Sequence, residues 1–88
     1  MCTMISMKTA VTGGGKGAEG WFPITHAYVG YDHATFVRDE HALLLDFVNA
    51  AQAPGARVAV ELDIASGKAL IAQIQAAIDA AEQAGVAV

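Results

Sequence analysis

Over residues 2–62 apolar and polar positions alternate in short runs, and from residue 64 onward apolar residues recur every three or four positions. A period of two marks a strand with two different faces, and the longer period marks an amphipathic helix. Residues 2–11 are rich in β-formers and place Ile5, Met7 and Val11 on one side, Cys2, Met4, Ser6 and Lys8 on the other. Five of the nine glycines then fall within 13–20, which predicts an irregular hairpin connection. A second strand is predicted over 21–31, with Thr25, Ala27, Val29 and Tyr31 on one face and His26, Tyr28, Gly30 and Asp32 on the other. Pro23 marks a strand entry or an edge, because it has no N–H to give a ladder.

A polar connection over 33–40 leads to a third strand, 41–49, where Leu43, Leu45 and Phe47 oppose Leu44, Asp46 and Val48. Apolar residues on both faces predict that both faces are covered. Pro54-Gly55 is a turn signal. The fourth strand, 57–62, alternates Val58, Val60 and Leu62 with Arg57, Ala59 and Glu61. Asp63 is a helix N-cap, residues 64–84 carry an apolar stripe of Leu70, Ile74, Ile78 and Ala81 with Ile71 beside it, and Gly85 is a stop. The expectation is one α+β domain over 1–88, a four-stranded antiparallel meander sheet with one C-terminal helix packed on one face, β-β-β-β-α. A helix of ~21 residues is ~30 Å long and can cross such a sheet over Val58, Val60 and Leu62. That would leave Met4, Tyr28, Leu44, Val48 and Ala59 on the opposite face, with Lys8, His26, Asp46, Arg57 and Glu61 among them, to pair sheet to sheet with a second copy. The outward Ala65, Ala69, Ala72, Ala76 and Ala80 reflect either close packing or plain helix propensity.

Composition strengthens the expectation of a partner. A chain of this size buries only about 60–65% of its unfolded surface. Yet 55% of its 88 residues are hydrophobic and 16% charged, against about 25% charged in ordinary domains. One small core cannot take up that apolar surface, so a homo-oligomer, at least a dimer, is expected. The net charge is −4, and Lys8, Lys16, Arg38, Arg57 and Lys68 form no basic run, which argues against nucleic acid. No stretch reaches the ~18–20 apolar residues of a membrane span, and residues 1–11 show no cleavage pattern of a signal peptide. Cys2 is the single cysteine. It cannot form an internal disulfide and fits a reducing cytoplasm.

All three histidines lie between His26 and His41, and two follow an acid, Asp32-His33 and Glu40-His41. If the second and third strands form a hairpin, His33 and His41 meet at one end of the sheet. With Glu40 or Asp32 they would make a His/carboxylate set for a divalent transition metal such as zinc, with a position left open for catalysis. The spacing matches no fixed metal motif, and the competing reading is a polar turn with acid–imidazole hydrogen bonds. A second constellation, His26, Tyr28 and Asp46, lies in the other phase. Asp46 within Leu-Leu-Leu-Asp-Phe-Val needs a partner or its ionisation is costly. It is either an acid–base group beside His26 and Tyr28 in a metal-free small-molecule site, or the partner of Lys8 or Arg57. A third possibility is an accessory subunit with no site. Gly13-Gly14-Gly15-Lys16-Gly17 departs from the phosphate-loop pattern, since Gly17 stands where Ser or Thr is needed. Cys2 has no basic neighbour to activate it, and Trp21-Phe22-Pro23 suits a hairpin anchor as well as a pocket wall.

The chain resembles a family of short bacterial proteins of unknown function. The resemblance runs through Met1-Cys2-Thr3, Lys16-Gly17-Ala18 with Gly20-Trp21-Phe22, Tyr31-Asp32-His33, Glu40-His41-Ala42-Leu43 with Asp46-Phe47, and the segment Ala56-Arg57-Val58-Ala59-Val60-Glu61-Leu62. It implies no particular activity. It does imply a further histidine near the position of Phe36, and there this chain departs from the family pattern.

Overall fold

The structure, a computed structural model, describes residues 5–52 and 55–85. Cys2 and Met4 of the expected first strand, and Pro54 of the expected turn, lie outside the described residues. Strands β1 (Ile5–Gly17), β2 (Gly20–His33), β3 (His41–Val48) and β4 (Arg57–Leu62) are followed by helix α1 (Ile64–Gln83). Neighbours in sequence are neighbours in the sheet, all antiparallel, in the order β1-β2-β3-β4. This is the four-stranded meander with one C-terminal helix that the alternation predicts.

The glycine segment departs from expectation. Residues 13–17 are strand, not loop, and the hairpin turns on Ala18 and Glu19 alone, with Gly17 opposite Gly20. Neither turn residue has a positive φ; Gly20 does, at +113°. A turn of ordinary hand followed by a left-handed glycine restores the strand twist. The glycines persist as strand because β2 supplies their missing side chains. A Cβ on Gly15 would stand 3.0 Å from Ile24 Cδ1 and 3.3 Å from Phe22 Cζ, and one on Gly14 would stand 3.6 Å from the Trp21 ring. Bulky side chains on β2 thus lie across bare backbone on β1. The register advances three residues on β1, Ala10 to Gly13, against two on β2, His26 to Ile24. This bulge switches which β1 residues share a face with Phe22 and Ile24.

Pro23 sits inside β2, a central strand, yet costs no ladder bond on the β3 side. The β2–β3 register begins only at His26 opposite Val48. Past that point Asn49 takes over: its Nδ2 donates to the Pro23 carbonyl at 2.9 Å, and its Oδ1 accepts from Ala51 N at 2.9 Å. Asn49 is buried, and these bonds satisfy it.

Cα partners share a face. The rows Ile5/Tyr31/Leu43/Leu62, Met7/Val29/Leu45/Val60 and Thr9/Ala27/Phe47/Val58 form one face, here the helix-side face. The far face carries Lys8/Tyr28/Asp46/Ala59 and Ser6/Gly30/Leu44/Glu61. The residues between β2 and β3 belong to the far face. There Glu61 accepts the backbone N–H of Thr35 at 2.7 Å, Phe36 at 2.7 Å and Val37 at 3.0 Å. These bonds, that from Phe36 foremost, hold the Glu61 carboxyl below its ordinary value of 4.5.

Helix α1 starts on an Asp63 cap whose carboxylate accepts from Ser66 N at 2.7 Å. Past its end Gly85 takes φ +77°, as a helix stop requires. Gly67 is the buried residue of the helix, and a Cβ there would run into Leu43 Cδ1. Beyond that contact the helix does not extend over the sheet. Leu70, Ile74 and Ile78 are exposed, and so are Met7, Val29 and Val60 on the helix-side face. The expected cover of Val58, Val60 and Leu62 by the chain's own helix therefore stops at Leu43. Among the described residues the buried apolar ones are only Ala27, Ala42 and Ala56, and no large side chain is fully buried.

Two tests follow from this packing. Gly67→Val forces Leu43 or the helix to move and should cost about 1–3 kcal/mol in chemical denaturation. Gly67→Ala gains about 0.8–1 kcal/mol of helix propensity, which offsets most of its smaller displacement of Leu43. Glu61, with its folded value depressed, contributes stability that is present above the ordinary carboxyl range and lost as pH falls through the lower folded value. The amide NMR signals of Phe36 and Val37 should move together with a midpoint below 4.5, and Glu61→Gln should remove that transition.

Candidate metal centre

The β2–β3 ladder ends with His33 directly opposite His41 and gains one more rung where Ala34 N donates to the Glu40 carbonyl at 3.1 Å. Direct partners in an antiparallel pair hold their Cβ atoms about 4.5–5.5 Å apart, so the hairpin itself sets the two imidazoles side by side. Their rings stack with centroids 4.7 Å apart and planes 27° apart. Tyr31 stacks on His41 at 5.7 Å. His41 is thus flanked by two rings, and its Nε2 is buried with no hydrogen-bond partner. A buried, unpartnered ring nitrogen is costly unless something completes it.

Glu40 brings a carboxylate to the same corner. One ligand atom from each of His33, Glu40 and His41 falls within 4.8 Å of the others. Nitrogen and oxygen donors around a tetrahedral zinc are roughly 3.3 Å apart, from bond lengths of about 2.0–2.1 Å. Closing the remaining gap needs rotation of His33 and Glu40, both exposed, while His41 stays anchored. A cavity of about 450 Å³ opens beside the cluster, lined by Tyr31, Asp39, Glu40, His41, Asp63 and Ile64 among others. Glu61 supports the arrangement from the far face, because its three backbone bonds fix the path by which the chain returns to Glu40.

Asp32 stands apart from this group. Its side chain belongs to the far-face phase, opposite Ala42, and accepts the His33 backbone N–H at 2.7 Å. It holds the backbone of a candidate ligand rather than joining the donor set.

His26, Tyr28 and Asp46 do share the far face, with Tyr28 directly opposite Asp46 and His26 one rung along. Each is engaged separately. His26 Nδ1 lies 2.9 Å from Thr25 Oγ1, and Lys8 Nζ sits 5.6 Å over the Tyr28 ring. Asp46 Oδ1 is bound by Arg57 through Nη2 at 2.6 Å and Nε at 2.8 Å. The carboxylate that looks out of place in its strand thus has the cross-strand cation weighed from sequence. A cavity of about 490 Å³ beside it is lined by Phe36, Leu44, Asp46, Arg57 and Glu61 among others, and a smaller one of about 200 Å³ is lined by Ser6, Tyr28, Asp32 and Asp46 among others, without His26.

Two residues matter that the pattern did not single out. Glu61 reads in sequence as one more polar position of a strand; its signal is only that it is the acid of β4, on the face where the preceding connection folds. Asn49 reads as the end of a strand, although Asn before a turn is an ordinary sign of side-chain-to-backbone bonding.

No helix is long and apolar enough to cross a membrane among the described residues. No curated protein and no solved structure matches the chain. A family model does match, over residues 1–87, and the chain accordingly belongs to the Family of unknown function (DUF6295).

Proposed function

We propose that this protein binds a divalent transition metal of the zinc type through His33, Glu40 and His41. The observation that carries the reading is the buried, unpartnered Nε2 of His41 beside a second imidazole and a carboxylate. Two nitrogens and one oxygen are the donors that intermediate metals take, and three protein ligands leave a position for water or substrate. A metal in that position would lower the pKa of bound water and so suit hydrolysis of a small molecule entering from the adjoining cavity. The alternative, a metal-free acid–base site at His26, Tyr28 and Asp46, is less well supported because Arg57 already occupies the Asp46 carboxylate. The single cysteine supports a cytoplasmic setting.

Tag-free protein, stripped and reloaded, should take up one zinc per chain by metal analysis and calorimetry. Free zinc at 100 times its dissociation constant should raise stability by about 2.7 kcal/mol. His41→Ala should abolish binding, and Glu40→Gln should weaken it by more than the roughly 10–100-fold that loss of an outer supporting group costs, because Glu40 is itself a ligand in this reading. Because imidazole ligands must be neutral, affinity should fall on acidification. Stripped wild-type protein that shows neither calorimetric binding nor a thermal shift with zinc or cobalt would sink the reading.

A further inference from the structure

Helix α1 and the helix-side face of the sheet are both apolar, both exposed, and part of the same chain. On the sheet an apolar groove of about 480 Å³ is lined by Ile5, Met7, Val29, Tyr31, Leu43 and Ile64. On the helix Ile71 is 69% exposed, Ile74 52% and Ile78 45%. Gly67, Ile71, Ile74, Ile78 and Ala81 follow one another at steps of four and three, so they form one stripe. That stripe begins against Leu43 and runs on exposed. The opposite side of the helix carries Ala65, Ala69, Ala72, Ala76 and Ala80, and the polar residues sit on a flank, where Gln75 Nε2 donates to Asp79 Oδ1 at 2.9 Å.

Asp63 is the one residue between β4 and α1, and Gly67 rests on Leu43, so the helix leaves the sheet from this corner. The accessible surface is large enough to leave room for such a contact. The chain exposes 6658 Å², whereas a compact monomer of 9.1 kDa exposes about 4,900 Å². The excess, about 1,800 Å² per chain, amounts to roughly 3,600 Å² in a pair, within the range of obligate homodimers. The Cα radius of gyration, 14.8 Å, likewise exceeds the ~12 Å of a compact chain this long.

We propose that the helix-side face is covered by α1 of a second copy, and that the exchange is reciprocal. One two-fold operation then buries both helices and both sheet faces, because each chain carries both halves of the contact. Beyond Gly67 the helix runs about 24 Å, longer than the ~14 Å between the outer strands of a four-stranded sheet. It can therefore lie across the whole partner face. The pairing differs from a sheet-to-sheet dimer through Leu44 and Val48. On that far face the Asp46–Arg57 ion pair and the residues bound by Glu61 already stand.

Sedimentation of the full chain should give twice 9.1 kDa at micromolar concentration. Ile74→Glu on the helix and Met7→Glu on the sheet should each raise the dimer dissociation constant at least 100-fold. Cross-linking covers the case in which those variants fail to fold. In a Cys2→Ser background, Met7→Cys or Val60→Cys protein is mixed with Ile71→Cys or Ile74→Cys protein and treated with a short bis-maleimide. Linked pairs between a sheet cysteine and a helix cysteine of different chains support the exchange. A monomeric wild type overturns it, and so do links that form only between helix cysteines or only between far-face positions such as Leu44→Cys.

Discussion

The stripe of α1 meets the apolar face of the sheet at Gly67 against Leu43, and beyond it Ile71, Ile74 and Ile78 stay exposed. Most of the architecture depends on that divergence. A meander of four strands is ordinarily stable because a helix closes one face into a core. Here the buried apolar residues among those described are three alanines, so the sheet and the helix each present a surface that a globular chain would spend on itself. Methyl groups cannot supply what Leu and Ile supply when buried, about 1.5–3 kcal/mol each. An exchanged helix restores the usual layer of helix on sheet, with the two layers drawn from different chains.

The far face is handled differently, by polar bonds rather than apolar cover. Glu61 gathers three successive backbone N–H groups, and Asp46 binds Arg57 across one strand. Both carboxylates stand in strands that otherwise read as apolar, and both would be misplaced without these partners. The Asp46–Arg57 pair is half exposed, where such pairs contribute about 0–1 kcal/mol. Its role is therefore to leave no unpaired charge on the sheet rather than to hold the sheet together. The Glu61 bonds do more, because they shape residues 35–37, which have no regular structure of their own.

The strands, the helix, its cap at Asp63 and its stop at Gly85 were legible because each is encoded within a few residues by period or by turn chemistry. The glycine run was not. Gly13 to Gly17 reads as loop from its own residues, and it becomes strand only because Trp21, Phe22 and Ile24 lie across it. That complementarity is visible only once the two segments are paired. The meeting of His33 and His41 could be inferred, since a hairpin whose strands end and begin at those residues makes them neighbours. Asp32 was expected as an alternative to Glu40 in the donor set, although the same period of two sends it to the face opposite His33. The divergence of the helix could not be read, because an amphipathic stripe shows that a surface will be covered and not which chain covers it.

The candidate metal centre and the root of the helix occupy one corner of the molecule. Tyr31 stacks on His41 and also lines the apolar groove, and Ile64 lines both that groove and the cavity beside Glu40. An ion held by His33, Glu40 and His41 would fix the end of β3 two residues from Leu43, on which Gly67 rests. Cover of the groove by a second chain would in turn fix Tyr31, and through it the ring of His41. Two binding events that order the same side chains share the entropy of ordering them, so each makes the other more favourable. By linkage the effect must be equal in both directions. The placement of Tyr31 between imidazole and groove would thus make a bound ion and a partner chain depend on each other at this corner.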